Sequence, residues 1–369
     1  MNFVFPKKLK LKNFQTKIIS TQNIHFKKTD INNYYKKTPK KEIPKKVKFL
    51  NSIVQFENFL KKVKEKDIIF FRERSWVKNR LNNYDLSLFK KYNIKTIDFD
   101  YYPEIKANFT KRKFFNTLKF LHLIFRKIYQ KFQNNSNFQP NYIISFGEHA
   151  RQKLIRKRLS NTTHLDCPSF WIKFFKKKIE KKNFIVYVDE NVNFSRDQYL
   201  YHKKYIKTSD AKLFVEDLNN LFDLVEKKYK TKIIIACSKK HVYKKNLFND
   251  RKIIYGKTLE LISKSKIVLG HKSDALFQSI YSNTPVILLR HKSFSFFRNL
   301  QIDLKSVNLF NKYSYNIEDY LDKKVSLDDS IDKNFYKKNL KNYFLSNNIK
   351  KQNFFLKFEE TLNKLKIYE

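Results

Sequence analysis

Glycine is almost missing from this chain: there are three in 369 residues, alongside two cysteines, one methionine, two tryptophans and seven prolines. That scarcity excludes a collagen-like protein. Neither G-x-G-x-x-G nor G-x-x-x-x-G-K-[ST] occurs, which argues against a dinucleotide oxidoreductase and a P-loop nucleotidase. Two cysteines cannot frame a disulfide scaffold or a zinc ribbon, so Cys167 and Cys237 read as reduced thiols of a cytosolic protein. No G-x-S-x-G is present, and the eight histidines are scattered singly without metal-ligand spacing. No run reaches the roughly 18–20 apolar residues that span a bilayer. The basic N-terminus lacks a following apolar core, so no signal peptide is expected.

Acidic residues are also scarce, 34 against 79 Lys and Arg, giving a formal charge of +45. Only 12 of the 79 are Arg. Contacts to phosphates and base edges favour the planar fork of Arg, so a Lys-dominated excess is a weak argument for nucleic acid. Enrichment in Lys, Asn, Ile and Phe together reads as coding bias in an A+T-rich genome. The distribution is more informative than the total. Residues 1–182 hold +31 of the charge, whereas residues 183–290 hold +9. The first half is therefore expected to face something anionic: a headgroup surface, a lipid-linked phosphate or a nucleic acid. Within it, Phe114, Leu118, Leu121, Phe125 and Ile128 fall at helical spacing with Lys119, Arg126, Lys127 and Lys131 between them. That pattern suits a helix lying in a headgroup layer, or equally a helix packed on a sheet.

A hydrophobic fraction of 41%, with 37 Phe and 22 Tyr, excludes wholesale disorder, and the length suits two domains. Residues 1–46 read as an extended basic arm. Between 47 and 180, short β-branched and aromatic runs at 68–71, 95–98 and 142–146 read as strands, with helices at 52–64 and 84–92. A clearer alternation follows over 183–310, with strands at 184–188, 232–236, 252–255, 266–270 and 285–289 and helices at 211–229, 258–264 and 274–282. Residues 331–369 read as C-terminal helices, including 351–366. The expected fold class is α/β, with two Rossmann-like domains built on mostly parallel sheets.

Two turns stand out. A strand ends at Gly270, His271-Lys272-Ser273 forms a polar turn, and a helix begins at Asp274. Ligands bind beyond the C-terminal ends of strands in open α/β sheets, and helix N-termini attract phosphate. His271, Lys272 and Ser273 thus read as a pocket for a nucleotide diphosphate, or as a loop histidine beside a helix cap. The turn Gly256-Lys257-Thr258 repeats the logic, with Lys257 for a phosphate and Thr258 as a cap.

The stretch 164–289 resembles a family of surface-carbohydrate (O-antigen or capsule) biosynthesis proteins with a GT-B-like glycosyltransferase fold. The residues that carry the resemblance are His164-Leu165-Asp166 as a turn before the second domain, Asp189 after a strand, and Ser195-Arg196-Asp197. They continue with 222–229 leading into a strand, Gly256-Lys257-Thr258 with Glu260-Leu261, and His271, Ser273, Ala275 and Thr284-Pro285. Where the family has a His-Pro-basic turn, this chain has Ser238-Lys239-Lys240, so Lys239 or Lys240 is the cation that can replace the lost histidine. His-Pro-Asp is likewise Ser195-Arg196-Asp197, and Ser-Thr after the histidine is Ser273-Asp274.

The resemblance implies a metal-independent bacterial transferase without a cofactor, acting in the cytoplasm or at the inner face of the membrane. It would bind a nucleotide-sugar donor in the second domain through Asp189, Lys239, Gly256, Lys257, Thr258, His271 and Ser273. A glycan or lipid-linked acceptor would bind in the first, across a cleft. A general base near the acceptor is expected among Asp166, His149 and Glu148. Asp98-Phe99-Asp100 has the form of a metal motif but reads as loop residues. The alternatives are a transferase that has lost turnover, or a basic protein binding nucleic acid or anionic lipid.

Overall fold

The computed structural model describes residues 18–20, 47–63, 68–71, 88–100, 141–148, 162–169, 171–175, 179–191, 208–238, 243, 245–345 and 354–364. These form two parallel sheets flanked by helices, as the α/β alternation requires, plus one small strand pair.

The first sheet has four parallel strands in sequential order: β3 (Ile68–Phe71), β4 (Lys95–Asp100), β5 (Tyr142–Ser145) and β6 (Thr163–Asp166). A satellite core lies beside α1 (Ile53–Leu60), whose start is set by Ser52 accepting from the Gln55 N–H. Before it, β1 (Ile18–Ser20) pairs in parallel with β2 (Val47–Phe49). The basic arm therefore contributes a strand, where the sequence gives only weak periodicity. The expected amphipathic helix at 114–132 lies outside the described residues.

The second sheet has six parallel strands in the order β12-β11-β10-β7-β8-β9. They are β7 (Ile185–Val188), β8 (Ile233–Cys237), β9 (Ile253–Tyr255), β10 (Ile267–Gly270), β11 (Val286–Arg290) and β12 (Tyr315–Asn316). The chain runs outward from β7 through β8 to β9, then returns to the other side of β7 and continues outward again. This is the doubly wound Rossmann order, with its reversal between β7 and β10. Every residue of β7 and β10 is buried, the signature of central strands covered on both faces. α2 (Thr208–Tyr229) supplies one cover through Phe214, Leu218, Leu221, Phe222 and Val225, all buried on a single stripe. Each such side chain contributes about 1.5–3 kcal/mol of burial energy.

α3 (Thr258–Lys264), α4 (Phe277–Ser282), α5 (Phe296–Lys305), α6 (Ile317–Leu321) and α7 (Lys333–Tyr343) complete the second unit. α7 anchors there by burying Tyr336 and Asn339, whose amide donates to the Asn308 and Leu309 carbonyls. Its C-terminal end then reaches the first sheet. Ser169 N–H donates to the Phe344 carbonyl at 3.0 Å, and the Asn342–Tyr343 backbone lies against Gly147 just beyond β5. Finally α8 (Phe354–Lys364) sets Phe354 edge-on to Phe146, 5.8 Å between centroids.

Local readings need correction at three places. His164, Leu165 and Asp166 belong to strand β6 rather than to a turn: only Leu165 is fully buried, so the segment carries little hydrophobic signal. Asp98, Phe99 and Asp100 are the last three residues of β4 rather than a loop. Thr258 is the first helical residue of α3, and its cap position is Lys257, which makes no side-chain capping bond. No helix among the described residues is long and apolar enough to cross a membrane.

Candidate functional site

The strand order of the second sheet reverses between β7 and β10, and doubly wound sheets bind ligands beyond the C-terminal ends of the strands at such a point. Asp189 and Glu190 leave β7 there, and His271, Lys272 and Ser273 leave β10.

His271 is fully buried, ringed by Tyr187, Phe214 and Phe294. Nδ1 lies 2.7 Å from the Leu289 carbonyl, which can only accept, so that nitrogen carries the proton. Nε2 then accepts from the Tyr187 hydroxyl at 2.9 Å. Both ring nitrogens are thus occupied inside the protein, and the ring fixes the end of β10 against β7 and β11. Burial pushes its pKa down to about 4. The unfolded chain therefore binds a proton that the native state refuses, and this stability is complete above pH 6.5 and lost as pH falls through 4. A His271→Gln variant is expected to be less stable at pH 7, with the gap to wild type closing by roughly 3 kcal/mol between pH 7 and 4 in urea titrations. A gap independent of pH would contradict this assignment.

Glu190 sits beside that ring. Its Oε1 accepts from the Lys272 N–H, and Oε2 from Arg298 at 2.7 Å. Burial works to raise the carboxyl, but Arg298 first, with His271 and Lys272, holds it below the usual range. Lys305 donates to the carbonyls of Lys272 and Ser273 at 2.7 and 2.8 Å and pairs with Asp274, while its ammonium lies over the Phe277 ring. The Lys272 ammonium reaches Gln301 at 2.7 Å. Burial, followed by repulsion from Arg298, lowers its pKa.

Arg298, Gln301 and Lys305 fall at i, i+3 and i+7 on α5, one face of a helix, and clamp the 271–274 turn from outside. Ser273 caps as expected, accepting from the Ala275 N–H. The segment it caps, however, is a three-residue 3-10 turn followed by the six-residue α4, and α3 has only seven residues. Neither turn offers a long helix dipole, so positive potential here comes from side chains.

On the other side of β7, Asp189 is 9% exposed and turns inward. It accepts from the Asn191 N–H at 2.9 Å and the Tyr243 hydroxyl at 2.8 Å, with Cys237 Sγ at 3.5 Å. Burial raises the Asp189 carboxyl and pushes up the Cys237 thiol. Gly256 takes a positive φ of 73° and donates its N–H to the Cys237 carbonyl at 2.8 Å, leaving Lys257 exposed. This turn follows β9, three strand spacings or roughly 14 Å from β10. Lys239 lies outside the described residues. Asp189, Gly256, Lys257, Thr258, His271 and Ser273 therefore share one sheet edge but form two separate groups along it.

In the first sheet, Glu148 follows β5 and Asp166 ends β6. The two strands pair with Ser145 opposite Asp166, so both carboxylates stand at the C-terminal edge. Asp166 Oδ1 lies 3.5 Å from His164 Nδ1. His149 lies outside the described residues. The residues that sequence reading passes over are Glu190, Arg298 and Lys305. The i, i+7 spacing of the two cations on α5 is the one signal that marks them.

No protein-family model matches the chain, and no curated protein does. Solved structures of similar shape include UDP-GlcNAc 2-epimerase from Methanocaldococcus jannaschii, at 13% identity and TM-score 0.43 over 97% of this chain and 93% of that one. S. aureus MnaA with UDP matches at 11% identity and TM-score 0.43, covering 92% and 85%. The spinosyn forosaminyltransferase SpnP matches at 8% identity and TM-score 0.38, covering 86% and 76%. Likenesses of this size assign neither an activity nor a ligand to this chain.

Proposed function

We propose that the protein is a glycosyltransferase of surface-polysaccharide assembly, with a nucleotide-sugar donor on the second sheet and a glycan or lipid-linked acceptor on the first. The observation that carries this reading is the position of Lys272 and Ser273 at the reversal between β7 and β10. The turn's Lys272 N–H and the neighbouring Arg298 hold the Glu190 carboxylate, so the groups offered to a ligand are the Lys272 ammonium and the Ser273 hydroxyl. In the proposed complex the donor diphosphate lies against Lys272 and Ser273. His271, Arg298 and Lys305 act as positioning residues that fix the turn, and Asp189 shapes the bend toward the Gly256-Lys257-Thr258 turn. Lys257 and Lys239 offer hydrogen-bond donors to the far end of the donor.

Transfer requires a base that takes the proton of the attacking acceptor hydroxyl, a role assigned to Asp166, Glu148 or His149. The basic first half then faces the acceptor's phosphate or an anionic membrane at the inner face. Incubation with UDP-, GDP- and CMP-sugars and a lipid-phosphate acceptor is expected to release free nucleotide diphosphate or monophosphate. Either Asp166→Asn or Glu148→Gln should lower turnover about 100-fold or more while leaving nucleotide affinity intact. No sugar transfer or nucleotide release from any of the three donors would overturn the assignment as an active enzyme.

A further inference from the structure

A second charged cluster lies outside the proposed donor site. His291 directly follows β11, Asp217 lies midway along α2, and Glu318 is in the first turn of α6. His291 Nε2 is 3.1 Å from Asp217 Oδ2 and 3.3 Å from Glu318 Oε1, and the three donor atoms all lie within 4.8 Å of one another. The imidazole is fully buried between the rings of Phe214 and Phe294, while the carboxylate side chains are 14% and 18% exposed. Glu318 Oε2 is buried without a hydrogen-bond partner. Two carboxylates thus converge on one imidazole, and Glu318 Oε1 also accepts from the Lys292 N–H at 2.9 Å. The cation beside them is Lys292, 55% exposed and 3.7 Å from Asp217.

We propose that Asp217, His291 and Glu318 bind a zinc ion that pins α2 and α6 to the end of β11. Zinc held by imidazole and carboxylate donors at about 2.0–2.2 Å sets neighbouring donors roughly 3.3–3.6 Å apart, close to the two separations from His291 Nε2. The imidazole donor disfavours calcium and magnesium, which take oxygen ligands. Glu318 Oε2 gains a role either as a second zinc ligand or in binding a zinc-bound water.

The Ser293 hydroxyl lies 2.6 Å from Nδ1, placed to accept that ring proton, as partners of metal-bound histidines do. The Ser293 N–H donates to Nδ1 at 3.1 Å, which leaves the proton on Nε2 when zinc is absent, so zinc binding breaks this bond. Binding therefore moves the ring proton from Nε2 to Nδ1, and the imidazole stays neutral. The inference does not depend on the donor site, because none of the three ligands touches Lys272 or Ser273.

The test is competition of the chelator-treated, full-length protein against a chromophoric zinc indicator, together with thermal melts. Wild type should bind one equivalent of Zn²⁺, with Tm raised by about 4 °C at a hundredfold excess over Kd. Asp217→Asn, nearly isosteric, should lose tenfold or more in affinity and cut the rise to about half or less. Glu318→Gln should do the same and serves where the first variant folds poorly. No uptake of Zn²⁺, or uptake equal in wild type and both variants, would overturn the site and leave the cluster as an ion-paired latch. Nucleotide titrations on the same variants should be unchanged, so failure here is distinguishable from failure of the donor site.

Discussion

Replacing Arg298 with methionine is expected to destabilise the protein by about 3–5 kcal/mol, the usual penalty for stripping one partner from a buried ion pair. The guanidinium is 9% exposed and the Glu190 side chain 13%, and their contact is 2.7 Å. Methionine keeps much of the apolar contact with the Phe294 ring, over which the guanidinium now lies at 5.0 Å. The loss therefore reports on charge rather than on packing. Without Arg298 the carboxylate keeps only the Lys272 N–H, and burial then drives it to take up a proton. Adding Glu190→Gln to Arg298→Met should recover a large part of the loss, because it removes the stranded charge. Urea unfolding of the two variants measures both effects. A loss below ~1 kcal/mol for Arg298→Met, or no recovery in the double variant, would show that the pair does not hold the turn.

Gly147→Ala carries the second large effect, through backbone rather than charge. Gly147 has φ of 80°, and a Cβ there would lie 2.5 Å from the Asn342 carbonyl oxygen and 2.7 Å from the Tyr343 carbonyl carbon. Left-handed backbone costs a residue with a Cβ about 1–2 kcal/mol. Crowding a neighbour that cannot yield adds about 1–3 kcal/mol, so the expected loss is about 2–5 kcal/mol. The atoms struck belong to the end of α7, the element that joins the second unit to the first sheet. The variant should thus loosen this junction and displace Glu148, the next residue. Differential hydrogen exchange should show faster exchange at 333–345 and 142–148. Unchanged stability and exchange would mean that α7 does not pack on this turn in solution.

How much of this was legible in the sequence depends on how local the cause is. β3 occupies residues 68–71 as expected, and β7 to β11 lie within a residue of their expected positions, because buried parallel strands need consecutive β-branched residues. β6 has the sequence of a turn because Thr163, His164 and Asp166 surround its one buried residue, Leu165. An edge strand needs no more than that. The 271–273 turn was visible from Gly270 and the serine cap, whereas the reason His271 is buried was not. Its partners are Tyr187, 84 residues away, and the Leu289 carbonyl. Arg298 meets Glu190 across 108 residues, and His291 meets Asp217 across 74. No local spacing encodes such pairs; strand order creates them. The scarcity of glycine fits the same picture. Without a glycine-rich loop after β7, the chain turns there through Asp189, Glu190 and the left-handed Asn191, and the anion-holding groups gather at β10 instead.

The central claim is that the β7–β10 reversal binds a nucleotide diphosphate through the 271–273 turn. Calorimetric titration of UDP, GDP and CMP into wild type and into a Lys272→Ala/Ser273→Ala variant tests it most directly. Selective binding of one nucleotide to wild type is expected, weakened at least tenfold in the variant, a loss of about 1.4 kcal/mol or more. Affinity that is equal in both proteins, or that is shared by all three nucleotides and falls steeply with salt as counterion release dictates, would contradict it.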